Sequence, residues 1–197
     1  MIVEDNQDSQ WLLVSIFEAF DEQWSVTICA DICEAYRQIE VNNSSFDLAL
    51  IDIGLPDGSG IDVISKLNQI NSDMPILVLS VMRSEQMIVD AIRAGATGYI
   101  LKEYDNISIA QSIEQLLNYE YPISASLARY LFHITQAQDK RPDSFQLTKQ
   151  ETMVLQNLAD GLTYQESADR MGISISTIRS HIQKLYRKLN TNSGYSD

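Results

Sequence analysis

Acidic side chains follow two apolar segments in the first part of the chain. Asp52 ends the apolar run Phe46–Asp52, and Glu4 and Asp5 come directly after the short run 1–3. A buried carboxylate is unfavourable unless it is paired with a cation or binds a metal, and neighbouring carboxylates repel one another. A hard divalent cation such as Mg²⁺, which takes oxygen ligands, resolves both problems. These three acids are therefore candidate ligands of a Mg²⁺ ion.

Two further polar residues follow later apolar segments. Ser80 ends the run Pro75–Ser80, and Lys102 follows Thr97–Leu101. The lysine offers a positive charge and a hydrogen-bond donor for an anion, and the serine offers a hydroxyl group. A carboxylate nucleophile beside such groups is suited to carry a phosphoryl group as an acyl phosphate, which makes Asp52 the candidate phosphoacceptor.

These residues meet if the apolar segments form one parallel sheet. Five short apolar segments alternate with amphipathic helical patterns through the first 120 residues. The predicted strands are Ile2–Glu4, Ser25–Ala30, Phe46–Asp52, Pro75–Ser80 and Thr97–Leu101. The predicted helices are Gln7–Phe20, Ile32–Asn42, Gly60–Asn71, Ser84–Ala94 and Asn106–Tyr119. This alternation predicts an α/β fold with a doubly wound, five-stranded parallel sheet, whose sites lie outside the carboxyl ends of the strands.

The remainder of the chain has a purely helical pattern. A helical stretch, "SASLARYLFHITQAQ", leads into the polar segment "DKRPDSFQ", which is typical of a linker. Thr148 with Glu151, and Thr163 with Glu166, have the spacing of capping boxes and predict two helix starts. The glycine turn in "MGIS", followed by Ser174 as an N-cap, predicts a third. The order of these elements is that of a helix-turn-helix.

The predicted third helix is amphipathic. Its apolar residues recur at helical spacing, at Ile175, Ile178, Ile182, Leu185 and Leu189. The other face carries hydrogen-bonding and cationic side chains, which are Ser176, Arg179, Ser180, Gln183, Lys184, Arg187 and Lys188. Such a helix suits the major groove of DNA, where Arg and Gln read base edges and Lys and Arg bind phosphates. A solvated basic face on an ordinary helical bundle is the alternative.

Charge divides the chain into two parts. The net charge is −13; residues 1–142 contain 21 acidic and 8 basic residues, whereas residues 143–197 contain 6 of each. This balance argues against a protein that coats nucleic acid with its whole surface, and it leaves a local basic patch near the end. No apolar run is long enough to span a bilayer, and the acidic start does not resemble a signal peptide, so we expect a cytoplasmic protein. Cys29 and Cys33 lack the spacing and the partners of a zinc or redox site.

The first part of the chain resembles the receiver domain of bacterial response regulators, which has a flavodoxin-like (CheY-like) fold. The phrases "LIDIGLPDGSGID" and "GATGYILKE" are similar to the phosphorylation-site loop and the fifth strand of that family. The positions that agree in order are Glu4, Asp5, Asp52, Ser80, Tyr99 and Lys102. The resemblance covers residues 1–120.

The receiver resemblance implies a role for each residue of the predicted pocket. A sensor histidine kinase would phosphorylate Asp52, with Mg²⁺ as cofactor. Asp5 would contact the metal directly and Glu4 mainly through water, and Gly54 would offer its backbone carbonyl. The remaining three residues would respond to or bind the phosphoryl group, and they are Ser80, Tyr99 and Lys102.

The pattern "LTKQETMVLQNLADGLTYQESADRMGISISTIRSHIQKLYRKL" resembles the LuxR-type DNA-binding domain of NarL/FixJ response regulators. This likeness implies that double-stranded DNA is a partner. The residues that would face bases are Arg179, Ser180 and Gln183. Those near the DNA backbone would be Thr177, Lys184 and Lys188. The position that Ser167 occupies here usually holds an apolar residue in this family.

Three regions follow from these features. We expect a receiver domain over 1–120, a linker with a helix over 121–145, and a helix-turn-helix domain over 146–197. The sequence ends at "NTNSGYSD", where the family continues into a fourth helix that supports dimerisation. Either the sequence is truncated or that interface is missing, although the resemblance implies a homodimer when the protein is phosphorylated or bound to DNA.

The leading hypothesis is a two-component response regulator whose phosphorylation on Asp52 controls DNA binding and transcription. It would not be an enzyme beyond slow self-dephosphorylation. The alternative is a DNA-binding regulator controlled by a protein partner independently of phosphorylation. An aspartyl-phosphate hydrolase similar to the haloacid dehalogenase type is disfavoured, because the second aspartate of that family corresponds to Gly54 here.

Overall fold

The chain folds into two units, Met1–Tyr119 and Glu120–Asp197. The computed structural model describes residues 1–20, 24–41, 45–81, 84–102, 106–118, 120–137 and 147–191. The later part of the predicted linker, 138–145, and the final stretch 192–197 lie outside the described residues. Among the helices described, none combines the length and the apolar character needed to cross a bilayer.

Parallel strands form the sheet of the first unit. They are β1 (Ile2–Val3), β2 (Ile28–Cys29), β3 (Ala49–Ile51), β6 (Ile76–Ser80) and β7 (Gly98–Leu101), and between them β4 (Gly54–Leu55) and β5 (Gly58–Ser59) form a short antiparallel hairpin. The sheet order is β2-β1-β3-β6-β7, with every neighbouring pair parallel. The predicted five-stranded, doubly wound fold is therefore confirmed. In this order the chain reverses direction of winding between β1 and β3, which is where such folds place their sites.

Helices cover the sheet and build the second unit. The first unit contains α1 (Gln7–Glu18), α2 (Ile32–Val41), α3 (Gly60–Ile70), α4 (Glu85–Ala94) and α5 (Asn106–Leu117). The second contains α6 (Ala125–Ala137), α7 (Lys149–Ala159), α8 (Tyr164–Met171) and α9 (Ile175–Thr191). The predicted helices agree with these bounds to within two residues.

The strands bury both of their faces, as parallel sheets do. On one face, Leu50 and Leu77 join a core cluster with Phe17 of α1 and Ile113 of α5. Because side chains alternate along a strand, the intervening residues of β3 and β6 point to the opposite face, against which α3 packs. This burial holds the carboxyl ends of β1, β3, β6 and β7 in fixed positions at one edge.

The edge strand β2 is shorter than the sequence pattern predicts. The pattern gives Ser25–Ala30, whereas the structure has Ile28–Cys29. The strand pairs with β1, which is itself two residues long, and the ladder is extended by single hydrogen bonds from Ile2 N to Thr27 O at 2.8 Å and from Glu4 N to Cys29 O at 2.9 Å. A strand with one short neighbour has few partners for its backbone, so its regular part is short.

Two capping boxes start the helices of the second unit, as predicted. Thr148 accepts a hydrogen bond from Glu151 N while the Glu151 side chain accepts one from Thr148 N, and Thr163 and Glu166 repeat the arrangement. The turn between α8 and α9 uses Gly172 in the left-handed conformation, with φ at 66°. These local signals fix the order helix, tight turn, helix.

The helix that the sequence pattern places in the linker packs within the second unit. Leu127, Ala128 and Leu131 of α6 are buried, and α6 packs against α7. The Arg129 Nε donates to the Ala159 carbonyl at 2.9 Å, which ties α6 to the end of α7. The unit is thus a four-helix core in the part of the chain that is described.

We expect the buried hydroxyl of Ser167 to destabilise the second unit. Its side chain is fully buried and its hydroxyl has no hydrogen-bond partner among the described residues. We expect Ser167→Ala to raise the free energy of unfolding by about 1 kcal/mol, since it removes an unsatisfied buried hydroxyl. The measurement is urea denaturation followed by far-ultraviolet circular dichroism. A matched control is Ser174→Ala, which removes the hydroxyl that accepts from Thr177 N at 3.1 Å and should lower stability by about 1 kcal/mol. Equal losses in both variants would contradict this account.

Candidate functional site

Three carboxylates converge at the switch point of the sheet. Asp52 directly follows β3, and Glu4 and Asp5 follow the adjacent strand β1. One carboxylate oxygen from each of the three lies within 4.8 Å of the others. Glu4 is 1% exposed and Asp52 is 6% exposed, whereas Asp5 faces solvent. The cluster therefore has two buried members and one open side through which a ligand can enter.

Lys102 supplies the positive charge that faces these acids. It follows β7, and its Nζ lies 2.6 Å from Glu4 Oε2 and pairs closely with Asp52 Oδ2. Burial lowers the pKa of Lys102, but hydrogen bonds to and charges of Asp52 and Glu4 outweigh burial, so its pKa is raised overall. Burial raises the pKa of Glu4, an effect that Lys102 opposes and the charge of Asp52 reinforces. Lys102 thus stays charged at neutral pH and compensates the buried acids.

The backbone around Asp52 fixes its carboxylate. Asp52 N donates to the Val3 carbonyl at 2.9 Å, which docks the end of β3 on β1. Gly54 N donates to Asp52 Oδ1 at 3.0 Å, while Lys102 engages Oδ2. Gly54 is exposed and begins the hairpin beside the acids. Each oxygen of Asp52 therefore has a partner of its own.

Ser80 and Tyr99 lie on the two strands beyond β3. Ser80 ends β6 and is fully buried, and Tyr99 in the neighbouring β7 is 2% exposed. Burial raises the pKa of Tyr99, a hydrogen bond with Ser80 opposes this shift, and the negative charge of Asp52 adds to it. Tyr99 therefore senses the charge at Asp52, and the three residues belong to one electrostatic environment.

The donor set fits a hard divalent cation. Glu4, Asp5 and Asp52 offer carboxylate oxygens, which are the ligands that Mg²⁺ prefers, and two of the three are buried away from bulk water. The acidic pocket can therefore bind a metal. Zinc and copper sites usually include nitrogen or sulfur ligands, and the described cluster has oxygen donors alone.

Asp57 anchors the hairpin beside the pocket, a role that the sequence analysis did not assign. Its two carboxylate oxygens accept from Ile32 N and Cys33 N, both at 3.0 Å, at the start of α2. The bond from Ile32 N, with that from Cys33 N, lowers the pKa of Asp57 although burial opposes it. The signal in the sequence is weak, because the donors lie 25 and 24 residues away in the chain.

The predicted DNA-binding side chains lie on α9 in three settings. Ser180 and Lys184 are exposed. Thr177 is half-buried and its hydroxyl lies 2.8 Å from Ser174 Oγ at the start of the helix. The other three contact neighbouring elements, and they are Arg179, Gln183 and Lys188. Ile178, Ile182 and Leu185 form the buried stripe on the opposite side.

Lys188 pairs with a buried acid of α7. Its Nζ lies 2.5 Å from Glu151 Oε2, and the same oxygen accepts from Thr148 N at 2.8 Å. Burial opposes ionisation of Glu151, but the bonds from Lys188 and Thr148 outweigh it, so the pKa of Glu151 is lowered. Lys188 thus connects the end of α9 to the start of α7, in addition to the DNA contact that the resemblance implies.

Because the pKa of Glu151 is lowered, we expect the stability of the second unit to depend on pH. A carboxyl group with a lowered pKa in the folded state stabilises above its unfolded pKa, here 4.5, and loses that contribution as the pH falls through the folded value. We expect Glu151→Gln to destabilise the second unit by about 1–2 kcal/mol at pH 7 and by less at about pH 3. Urea denaturation at both pH values, followed by circular dichroism, measures the difference. If Glu151→Gln lost the same free energy of unfolding at both pH values, the loss would be due to packing and not to the charge of Glu151.

Together, the fold and the pocket define a receiver, and the three last helices define a helix-turn-helix. The model of the response regulator receiver domain matches residues 1–114, and that of the bacterial regulatory proteins of the luxR family matches residues 145–195. The chain belongs to the family of response regulators that join these two domains, the NarL/FixJ type. It is a response regulator of the two-component class, with a receiver and a DNA-binding domain of transcription regulators.

Curated relatives and solved structures support this assignment. The chain is 32% identical to the nitrate/nitrite response regulator protein homolog of Haemophilus influenzae, over 84% of this chain and 79% of the relative. It is 28% identical to the DNA-binding transcriptional activator DevR/DosR of Mycobacterium tuberculosis, over 95% and 86%. A two-component response regulator of the LuxR family from Aurantimonas sp. SI85-9A1 superimposes with a TM-score of 0.59 at 26% identity, covering 66% of this chain and 91% of that structure.

Proposed function

We propose that Asp52 accepts a phosphoryl group from a sensor histidine kinase in a Mg²⁺-dependent reaction, and that this modification controls DNA binding by α9. The observation that carries the proposal is the pocket itself. Three carboxylates lie within 4.8 Å of one another at the switch point, and Lys102 is paired with the two buried ones. One lysine balances the charge of only one of the three carboxylates, so the pocket keeps an excess of negative charge that a divalent cation beside the nucleophile would compensate.

Asp52 would act as the nucleophile. A carboxylate oxygen of Asp52 attacks the phosphorus of the phosphohistidine, the P–N bond breaks, and the imidazole nitrogen keeps the electron pair. Glu4, Asp5, Asp52 and the Gly54 carbonyl would hold Mg²⁺, which neutralises negative charge on the incoming phosphoryl group. Lys102 is close enough to Asp52 to exchange part of its ion pair for a phosphoryl oxygen. The buried hydroxyl of Ser80 would donate to the same group.

The pocket supports a switch rather than an enzyme. A phosphatase with an aspartate nucleophile uses a second side chain as general acid and base, and Gly54 has none at the position two residues after Asp52. We infer at most slow self-dephosphorylation, by water that enters from the exposed side of Asp5. The switch would act in the cytoplasm, where DNA is accessible.

Phosphorylation would change DNA binding by promoting dimerisation or by exposing α9. We expect a homodimer when Asp52 is phosphorylated or when DNA is bound, because DNA-binding modules of this type commonly read two half-sites. Light scattering on the full chain, with and without acetyl phosphate and Mg²⁺ and then with a bound duplex of known mass, measures this directly. A mass of one protein chain both after phosphorylation and in the DNA complex would contradict the dimer.

The proposed function is tested with DNA selected by the protein itself. The full chain is used to enrich a binding duplex from a randomised library, and its affinity is then measured with and without acetyl phosphate and Mg²⁺. We expect tighter binding after phosphorylation in the parent and in Asp47→Asn, an exposed acid of the same apolar segment, but not in Asp52→Asn. Tighter binding that is equal in Asp52→Asn would contradict the role of Asp52. Binding that is the same under all conditions would favour control by a protein partner.

A further inference from the structure

The short segment that precedes α6 is fixed against α9. The buried Tyr186 of α9 donates from its hydroxyl to the Pro122 carbonyl at 3.0 Å, and the rings of Tyr121 and Tyr186 have centroids 5.4 Å apart. Tyr164 of α8 donates to the Tyr121 carbonyl at 2.6 Å. Two helices therefore hold the backbone of residues 121–122 by hydrogen bonds from tyrosine hydroxyls. The segment is part of the structure of the second unit.

This anchoring places an acid on the predicted base-reading side of α9. Glu120 Oε1 lies 2.5 Å from Arg179 Nη2, and the Glu120 side chain is 14% exposed whereas that of Arg179 is 47% exposed. Gln183 Nε2 lies 3.5 Å from the Tyr121 hydroxyl. Arg179 and Gln183 are four residues apart and share one face of the helix. The segment thus contacts two of the three side chains that the family resemblance assigns to bases.

The charge at this position is unusual for a DNA-binding surface. The sequence from Arg170 to Ser196 contains no acidic residue, so α9 brings no negative charge of its own. Glu120 introduces one, and it does so beside the cation that would contact a base edge. The ion pair with Glu120 occupies a donor nitrogen of Arg179 that a bidentate contact to a guanine would use. In addition, a carboxylate at this edge repels DNA phosphates.

We propose that Glu120 belongs to the DNA-binding surface and competes with DNA for Arg179. This inference rests on the proposed function of α9 and adds to it a residue that lowers affinity. Binding of DNA would break the Glu120–Arg179 pair, while the tyrosine anchors would keep the backbone of the segment in place. Glu120 then lowers the affinity for every DNA site, so a site needs stronger contacts with α9 to be occupied at a given protein concentration. A DNA site with a base that hydrogen-bonds Arg179 would be bound. A site without such a base would be bound more weakly than in the absence of Glu120.

The test uses the full chain and a fluorescent duplex that the parent protein has enriched from a randomised library. Affinities are measured at one ionic strength, because exposed charges are screened by salt. We expect Glu120→Gln to bind the duplex about three- to tenfold more tightly than the parent, in line with loss of a partly exposed ion pair and of phosphate repulsion. The matched control is Asp160→Asn, which removes the same charge from an exposed helix end of this unit and should change affinity by less than about twofold.

A double-mutant cycle separates competition for Arg179 from a general charge effect. In the Arg179→Ala background, Glu120→Gln should increase affinity by a clearly smaller factor than in the parent, because competition for Arg179 is gone and only the repulsion of DNA phosphates is relieved. Unchanged or weaker binding of Glu120→Gln, in a chain with parental circular dichroism, would overturn the inference; weaker binding would mean that Glu120 orients Arg179 toward the base. Failure of the parent to enrich any duplex, or parental affinity in Arg179→Ala, would instead overturn the proposed role of α9.

Discussion

Gly60→Ala is expected to destabilise the first unit by about 3 kcal/mol or more. A Cβ at Gly60 would lie 2.0 Å from the Asp52 carbonyl oxygen and 2.9 Å from Ile51 Cγ2. The nearest obstacle is backbone and cannot rotate away, so either α3 or the end of β3 must shift. That shift would move the phosphoacceptor, so we also expect slower phosphoryl uptake at Asp52 in the fraction that remains folded.

Tryptophan fluorescence measures this prediction selectively. The two tryptophans of the sequence, Trp11 and Trp24, both belong to the first unit, so urea denaturation followed by their emission reports that unit. The control is Gly58→Ala in the hairpin that precedes α3, where the nearest described atom to a new Cβ is the flexible end of the Ile32 side chain, at 2.9 Å, and φ is 155°. We expect a loss of about 1 kcal/mol there. Equal stability of Gly60→Ala and the parent would contradict the close packing of α3 on Asp52.

The second large effect is expected from Lys102→Met. Removal of the lysine leaves Glu4 and Asp52 buried with repelling charges, so the first unit should lose about 2–4 kcal/mol at pH 8. The raised pKa of Lys102 means that its stabilisation is complete at neutral pH and is lost only as the pH rises through that raised value. The difference between parent and variant should shrink as the pH is lowered, because the raised pKa of Glu4 lets this buried carboxylate become neutral at a higher pH than usual.

Mg²⁺ provides the discriminating measurement on the lysine variant. If the pocket binds the metal, saturating Mg²⁺ should raise the stability of Lys102→Met more than that of the parent, because the ion replaces the missing positive charge. Lys66→Met, which removes an exposed lysine of α3, should behave as the parent in both respects. A pH-independent loss in Lys102→Met with no response to Mg²⁺ would assign Lys102 a packing role alone.

Much of the architecture follows from local patterns in the sequence. The spacing of Thr148 and Glu151 predicts a helix start because the donors and acceptors of a capping box lie within three residues. The apolar runs around Leu50 and Leu77 predict buried parallel strands, and their order places Glu4 beside Asp52. The candidate pocket can be predicted in the same way, because strand ends meet at one edge of a parallel sheet.

Contacts between residues distant in the chain were not predictable from those patterns. Asp57 caps α2 from a hairpin 24 and 25 residues away, and Glu120 reaches Arg179 across 59 positions of sequence. Each contact depends on how helices and loops pack, and a single sequence carries no periodic signal for such pairs. For the same reason the helix placed in the linker could be predicted, whereas its packing on α7 could not.

Intact mass spectrometry tests most directly whether Asp52 is a Mg²⁺-dependent phosphoacceptor. The full chain is incubated with acetyl phosphate in the presence of Mg²⁺ or of a chelator, beside Asp52→Asn and Asp47→Asn. We predict a gain of one phosphoryl group in the parent and in Asp47→Asn with Mg²⁺, and none in Asp52→Asn or with the chelator. An equal gain in Asp52→Asn, or no gain in folded parent protein with Mg²⁺ present, would contradict this role of Asp52.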